Sequence, residues 1–165
     1  MPVTISGTTG VDTPLGSASS AAYGNTTNAN TGLYFPTATT AAVAVNGSNA
    51  MTVDTTGISD TIGNVRTIPA NTQSTGYTLV ATDNGKFINI STGGVTVPAS
   101  IFSAGQNVVI YNNSASAQTI TQGGSVTMYL AGTTSTGNRT LASYGVATVL
   151  CVASNTFVIS GAGIS

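Results

Sequence analysis

From Tyr77 to Gly161 the chain is a succession of short segments in which apolar and polar residues alternate, each closed by turn-forming residues. The segments are "YTLVA" (77–81), "KFINIS" (86–91), "GVTVP" (94–98), "NVVIYNN" (107–113), "AQTITQ" (117–122), "SVTMYLA" (125–131), "RTLAS" (139–143), "GVATVLCVA" (145–153) and "TFVISG" (156–161). Asp83-Asn84-Gly85, Thr92-Gly93-Gly94, Asn112-Asn113-Ser114, Gly123-Gly124 and Ser154-Asn155 separate them. Such residues either reach positive φ or hydrogen-bond their own backbone, so they mark turns. Period-2 segments of this length predict an all-β unit, an antiparallel sandwich or barrel. Its expected core is Leu79, Phe87, Ile88, Ile90, Val95, Val97, Val108, Ile110, Ile120, Val126, Met128, Leu130, Val146, Leu150, Val152, Phe157 and Ile159. One helical turn is expected over 98–105, with Ile101 and Phe102 plugging an end of the sheet.

The stretch "NTGLYFPTATTAAVAVNGSNAMTVDTTG" (30–57) carries one charged side chain, Asp54. Val43 and Val45 alternate with Ala42 and Ala44, and Met51 and Val53 flank Thr52. Asn46-Gly47 between them is the strongest short hairpin signal. The hairpin therefore has a Val/Met face and an Ala/Thr face. Two strands alone are marginal in water, so the Val/Met face is expected to be buried against the next domain or against further copies of the chain. A junction follows near 57–66. Residues 1–29 lack periodicity and read as an extended arm that needs a partner to hold it. The expected organisation is arm 1–29, hairpin segment and junction 30–65, and C-terminal β-sandwich 66–165.

Charge is nearly absent: three Lys plus Arg and four Asp plus Glu in 165 residues, with no His, for a net charge of −1. Ordinary domains are about one quarter charged. No apolar run reaches the roughly 18 residues of a membrane helix. Disorder goes with low hydropathy and high net charge, neither of which holds here. Thr, Ser, Asn and Gly instead solvate a folded surface. Arg66, Lys86 and Arg139 are too scattered to form a nucleic-acid footprint. The N-terminus shows no secretory pattern, and the single Cys151 leaves no intrachain disulfide to form.

The acids are Asp12, Asp54, Asp60 and Asp83. Glycoside hydrolysis needs two carboxylates across one bond, whereas Asp54 and Asp83 stand at turn positions and Asp60 in the junction. Without His, neither Ser nor Cys151 has a base, and Cys151 reads as a small buried hydrophobe. His/Cys zinc sites and acidic calcium loops are missing. No residue is therefore assigned as catalytic, cofactor-binding or metal-ligating, and no enzyme activity is expected. Asn-x-Ser/Thr occurs at Asn25, Asn46, Asn89, Asn112 and Asn138, as an Asn/Thr-rich composition provides by itself. Tyr23, Tyr34, Tyr111, Tyr129 and Tyr144 are read as capping the sandwich or an interface, with sugar stacking as the alternative.

Asn30, Thr31, Gly32, Leu33, Tyr34, Pro36, Gly47, Met51, Val53, Asp54 and Gly57, in that order, resemble a segment recurrent in bacteriophage tail-fibre proteins. The stretch from Tyr77 to Gln122 is similar to the β-rich C-terminal module of phage fibres and other phage structural proteins. The resemblance implies a virion protein, a homotrimer on the particle surface. Its partners would be other virion proteins, reached through the N-terminal arm, and a host-surface glycan or protein. The chain begins 29 residues before the recurrent segment, which suggests a short fibre of tail or head type. A capsid decoration protein that staples the shell through its arm remains the alternative.

Overall fold

The computed structural model describes Thr4–Ser6, Gly10–Asp12 and residues 14–165. They form two units, Met1–Thr67 and Ile68–Ser165. The described residues are all-β, with one 3₁₀ turn, Ala81–Asp83.

In the first unit β1 (Thr4–Ser6) pairs antiparallel with β2 (Gly10–Asp12). The strands β3 (Tyr23–Asn25), β4 (Asn28–Thr37), β5 (Thr40–Val45), β6 (Ser48–Asp54) and β7 (Gly57–Ser59) form an antiparallel sheet in chain order. Local chemistry makes each turn. Asn25 Oδ1 accepts the Thr27 N–H at 2.7 Å between β3 and β4. Asn46 and Gly47 sit at φ 50° and 77°, the double left-handed turn that matches strand twist. Asp54 Oδ1 takes the Thr56 N–H at 2.7 Å before β7. The expected extended arm of residues 1–29 is therefore corrected. Part of it forms the antiparallel β1–β2 pair, and the Asn25 turn draws Tyr23–Asn25 and the start of β4 into the sheet.

The second unit is β8 (Ala70–Gln73), β9 (Tyr77–Thr78), β10 (Phe87–Ile90), β11 (Val95–Val97), β12 (Asn107–Asn112), β13 (Gln118–Gln122), β14 (Thr127–Leu130), β15 (Arg139–Ala153) and β16 (Thr156–Ile164). Its sheet is barrel-like but mixed rather than wholly antiparallel, in the order β8-β10-β12-β15-β13-β11-β9. β8, β10 and β12 stack in parallel, and so do β9, β11 and β13. The chain thus steps alternately between two ribbons, adding one rung to each in turn, as β-solenoids do. β15 then runs antiparallel to both β12 and β13 and closes the stack. β16 pairs antiparallel with β15 and parallel with β14.

Glycine decides that Thr92-Gly93-Gly94 crosses between ribbons rather than making a hairpin. Gly93 and Gly94 have φ 83° and 71°. A Cβ would lie 2.2 Å from Gly76 N at Gly93 and 2.3 Å from Thr119 O at Gly94. Neighbouring rungs touch backbone to backbone at this corner, which no side chain permits.

Inside the stack the middle rung is aliphatic: Ile88, Ile90, Val95 and Val97 are all at most 1% exposed. The first rung is largely polar inside, and the last sets Asn112 and Gln118 beside the buried Val108, Ile110 and Ile120. Asn71 and Gln73 stand in register with Ile88 and Ile90, and Tyr77 with Val95. At this first rung Asp83, 1% exposed, accepts the Tyr77 hydroxyl at 2.8 Å, the Val80 N–H at 2.9 Å and the Asn71 amide at 2.8 Å. The carboxylate therefore ties β8 to β9 across the open seam. At the last rung the buried Asn112 donates to the carbonyls of Leu141 and Ala142 on β15.

Twelve of the expected core residues are fully buried, from Leu79 through Ile120 to Ile159, while Phe87 and Leu130 are half-buried. Val146, Leu150 and Val152 are not core: they are 41%, 38% and 45% exposed. The inward side of β15 carries Leu141, Ala147, Val149 and Cys151 instead. The reason is complementarity. Cys151 and Val149 face Phe157 and Ile159 of β16, which supply the bulk there. The helical turn expected over 98–105 does not form, because Ser100 adopts φ 64° and donates its N–H to Asn155 Oδ1 at 2.7 Å. Phe102 still plugs the core, edge to face with Phe157 at 6.3 Å.

Removing the Asp83 carboxylate leaves three inward donors unsatisfied. Asp83→Ala is expected to cost the second unit about 3–5 kcal/mol in denaturant unfolding. Burial, followed by the Asp83 bond, holds the Tyr77 phenol above its usual range. The folded chain thus favours the protonated phenol. That contribution is complete below the ordinary tyrosine pKa of about 10 and is lost as pH rises through the raised folded value. Tyr77→Phe is expected to flatten this part of the alkaline stability loss.

Candidate functional site

In the first unit the two faces of the five-stranded sheet differ in kind. One carries Tyr34, Ala42 and Ala44, at 6%, 1% and 0% exposed. Gly32 pairs with Ala44 and Tyr34 with Ala42, so small residues alternate with one ring. Ala18 packs on this face. The segment before β3 is pinned to the sheet by the Phe35 N–H to Leu15 O bond at 2.6 Å and the Ala21 N–H to Ala29 O bond at 2.8 Å.

The other face is apolar across all five strands. Register places Tyr23, Leu33, Val43 and Met51 in one row. Ala41, Val53 and Ile58 form the next. Phe35 joins this side, edge to face with Tyr23 at 6.5 Å. Val45, Met51 and Val53 remain 53%, 38% and 39% exposed. Within the first unit the Ala/Thr side of the hairpin is covered and the Val/Met side is open, which leaves the expected burial of that side to further copies of the chain. A strip of backbone fits over Ala, where β-branched residues would hold it off. Beside the apolar face lies an open groove of about 390 Å³ lined by Phe35, Ala41, Val53 and the threonines 39, 40 and 55.

The described carboxylates are occupied by their own turns. Asp54 Oδ1 accepts both the N–H and the hydroxyl of Thr56, at 2.7 and 2.6 Å, and these bonds hold its carboxyl below the usual value. Asp60 Oδ1 accepts the N–H groups of Ile62 and Gly63. Asp83 holds the β8–β9 seam. Asp12 lies on β2, and its side chain is outside the described residues. Cys151 is 1% exposed, and burial pushes its thiol up, so the thiolate is disfavoured. Among the described residues no three His, Cys, Asp or Glu side chains gather as metal ligands, and no helix is long and apolar enough to cross a membrane.

Of the five tyrosines singled out, Tyr34 is buried, Tyr111 is half-buried, and Tyr23, Tyr129 and Tyr144 are exposed at 41%, 36% and 60%. Structure does not gather them into one site. Among the Asn-x-Ser/Thr positions, Asn112 is fully buried by its bonds to β15. The candidate site is therefore a surface, the uncharged face of Leu33, Val43, Met51 and Val53. No protein-family model matches the chain, and no characterised protein or solved structure matches it either.

The two faces respond differently to substitution. Ala44→Leu is expected to cost about 1–3 kcal/mol by overpacking beneath the covering segment. Val53→Thr, measured on dilute chain, is expected to stay within about 0.5 kcal/mol. Denaturant midpoints check both.

Proposed function

We propose that this chain is a structural protein of a bacteriophage virion, a short homotrimeric fibre-like protein on the particle surface. The observation that carries the reading is the apolar sheet face of residues 23–58. It lies in the stretch that resembles the recurrent tail-fibre segment, and it is finished for contact rather than for water. In a trimer three such faces meet around one axis, where Ala41 and Val43 let the chains approach. Closed symmetry buries what one copy leaves open. In this reading the second unit carries host attachment. Attachment to the particle falls to the chain before Leu15, because residues 15–29 are engaged by their own sheet.

Light scattering of the purified chain at micromolar concentration is expected to give three times the 16.3 kDa chain mass. A stable folded monomer would contradict the reading. Antibody labelling of intact particles is expected on a tail or head fibre. Uniform labelling of the shell would favour capsid decoration instead.

A further inference from the structure

The second unit also has two outer faces, and they are unequal. On the β9-β11-β13 ribbon Thr78, Thr96 and Thr121 stand in one row, and Thr119 stands beside Thr140 of β15. A hydroxyl row of this kind is a finished, wetted surface. On the β12-β15-β16 side two mainly apolar rows flank the row of Val109, Thr148 and Ser160, and Asn107 ends the Leu150 row. Tyr111, Val146 and Ala162 share one row, and Leu150, Val158 and Tyr129 share another. Val146, Leu150, Val152 and Tyr129 are 41%, 38%, 45% and 36% exposed.

We infer that this outer face of β12, β15, β16 and β14 is a second self-association surface, buried against the same face of further copies of the chain. Three observations select a copy as the occupant. First, the rows contain no ionisable side chain except the tyrosine phenols; of this unit's charged side chains Asp83 and Arg139 are buried at 1% and 7% exposure, and the half-buried Lys86 precedes β10, outside the rows. A charged partner would lose hydration without finding a counter-charge, whereas a second copy brings none. Second, the small Thr148 and Ser160 form the middle row of the face and Ala162 stands in the row beside it, so two sheets can close to the roughly 10 Å of face-to-face packing. Third, the size fits. The four strands about 4.8 Å apart and seven residues of about 3.3 Å give roughly 440 Å² of sheet. That is near the largest apolar patch of an ordinary monomer and close to one partner's share of a small stable interface. The inference does not rest on the virion reading, and it places a contact in the second unit independent of the sheet of residues 23–58.

The test uses the full chain. Leu150→Glu/Val152→Glu puts like charges at the proposed contact, and Thr96→Glu/Thr121→Glu makes the same charge change on the threonine face. Light scattering across concentration is expected to show association weakened at least about 30-fold in the first variant and unchanged in the second, with wild-type circular dichroism in both. Equal weakening in both, unchanged association in the first, or a monomeric wild type at 100-fold micromolar excess would overturn the inference. Should the first variant lose its fold, Leu150→Cys decides. Cys151 is buried, so mild oxidation is expected to link copies only through position 150, and failure to cross-link would overturn the inference. Met51→Glu separates this from the proposed function. If it alone dissociates the copies, the second-unit surface is wrong and the fibre-type axis stands. If only the β15 variant dissociates them, the reverse holds.

Discussion

A stack of parallel strands has two open ends, and the second unit exists because both are closed. At the first rung a single carboxylate, Asp83, collects the Tyr77 hydroxyl, the Asn71 amide and the Val80 N–H. At the last rung β15 turns antiparallel to both ribbons at once, and Asn112 bonds to its backbone from inside. Between these closures the aliphatic middle rung needs nothing but burial. Terminal repeats of a stacked architecture must satisfy polar groups that inner repeats pass to their neighbours; Asn71, Tyr77 and Asp83 do this at one end, and Asn112 and Gln118 among aliphatic neighbours at the other.

The strands and many of their core residues were legible because period-2 alternation survives in almost every segment. Topology was not. Thr92-Gly93-Gly94 reads as a hairpin turn, since two glycines permit one; in the fold those glycines permit backbone contact between rungs instead. Nothing local tells a turn that pairs its flanking strands from one that separates them. The side of β15 was equally hidden. "GVATVLCVA" has Val146, Leu150 and Val152 on one side and Ala147, Val149 and Cys151 on the other, both apolar. Hydrophobicity favours the first set, but the space left by Phe157 and Ile159 admits the second. The hairpin of 40–54 does not say locally which of its faces the chain itself covers. Its bulkier face is open and its alanine face is covered, because a covering strip of backbone needs close approach.

These reversals share one cause. A chain with seven formal charges cannot mark its outside with Lys and Glu, so side-chain size and hydroxyl content mark it instead. Threonine rows finish the surfaces that meet water, and small residues line those covered within the chain. Two faces rich in Val, Leu, Met and Tyr remain, one in each unit. Hydrophobic contact without charge is not weakened by ionic screening, and it suits assembly that must persist in varied surroundings. Among the described residues the carboxylates serve turns and the β8–β9 seam.

The central claim is that both apolar faces are exposed on one chain and covered between copies. Hydroxyl-radical footprinting of the intact chain, read by mass spectrometry at nanomolar and at high micromolar concentration, tests it side chain by side chain. The account predicts that Met51, Tyr129, Leu150 and Val152 lose oxidation as concentration rises, while Leu15 and Val65, exposed but off both faces, stay equally reactive. Equal oxidation of all six at every concentration would contradict it.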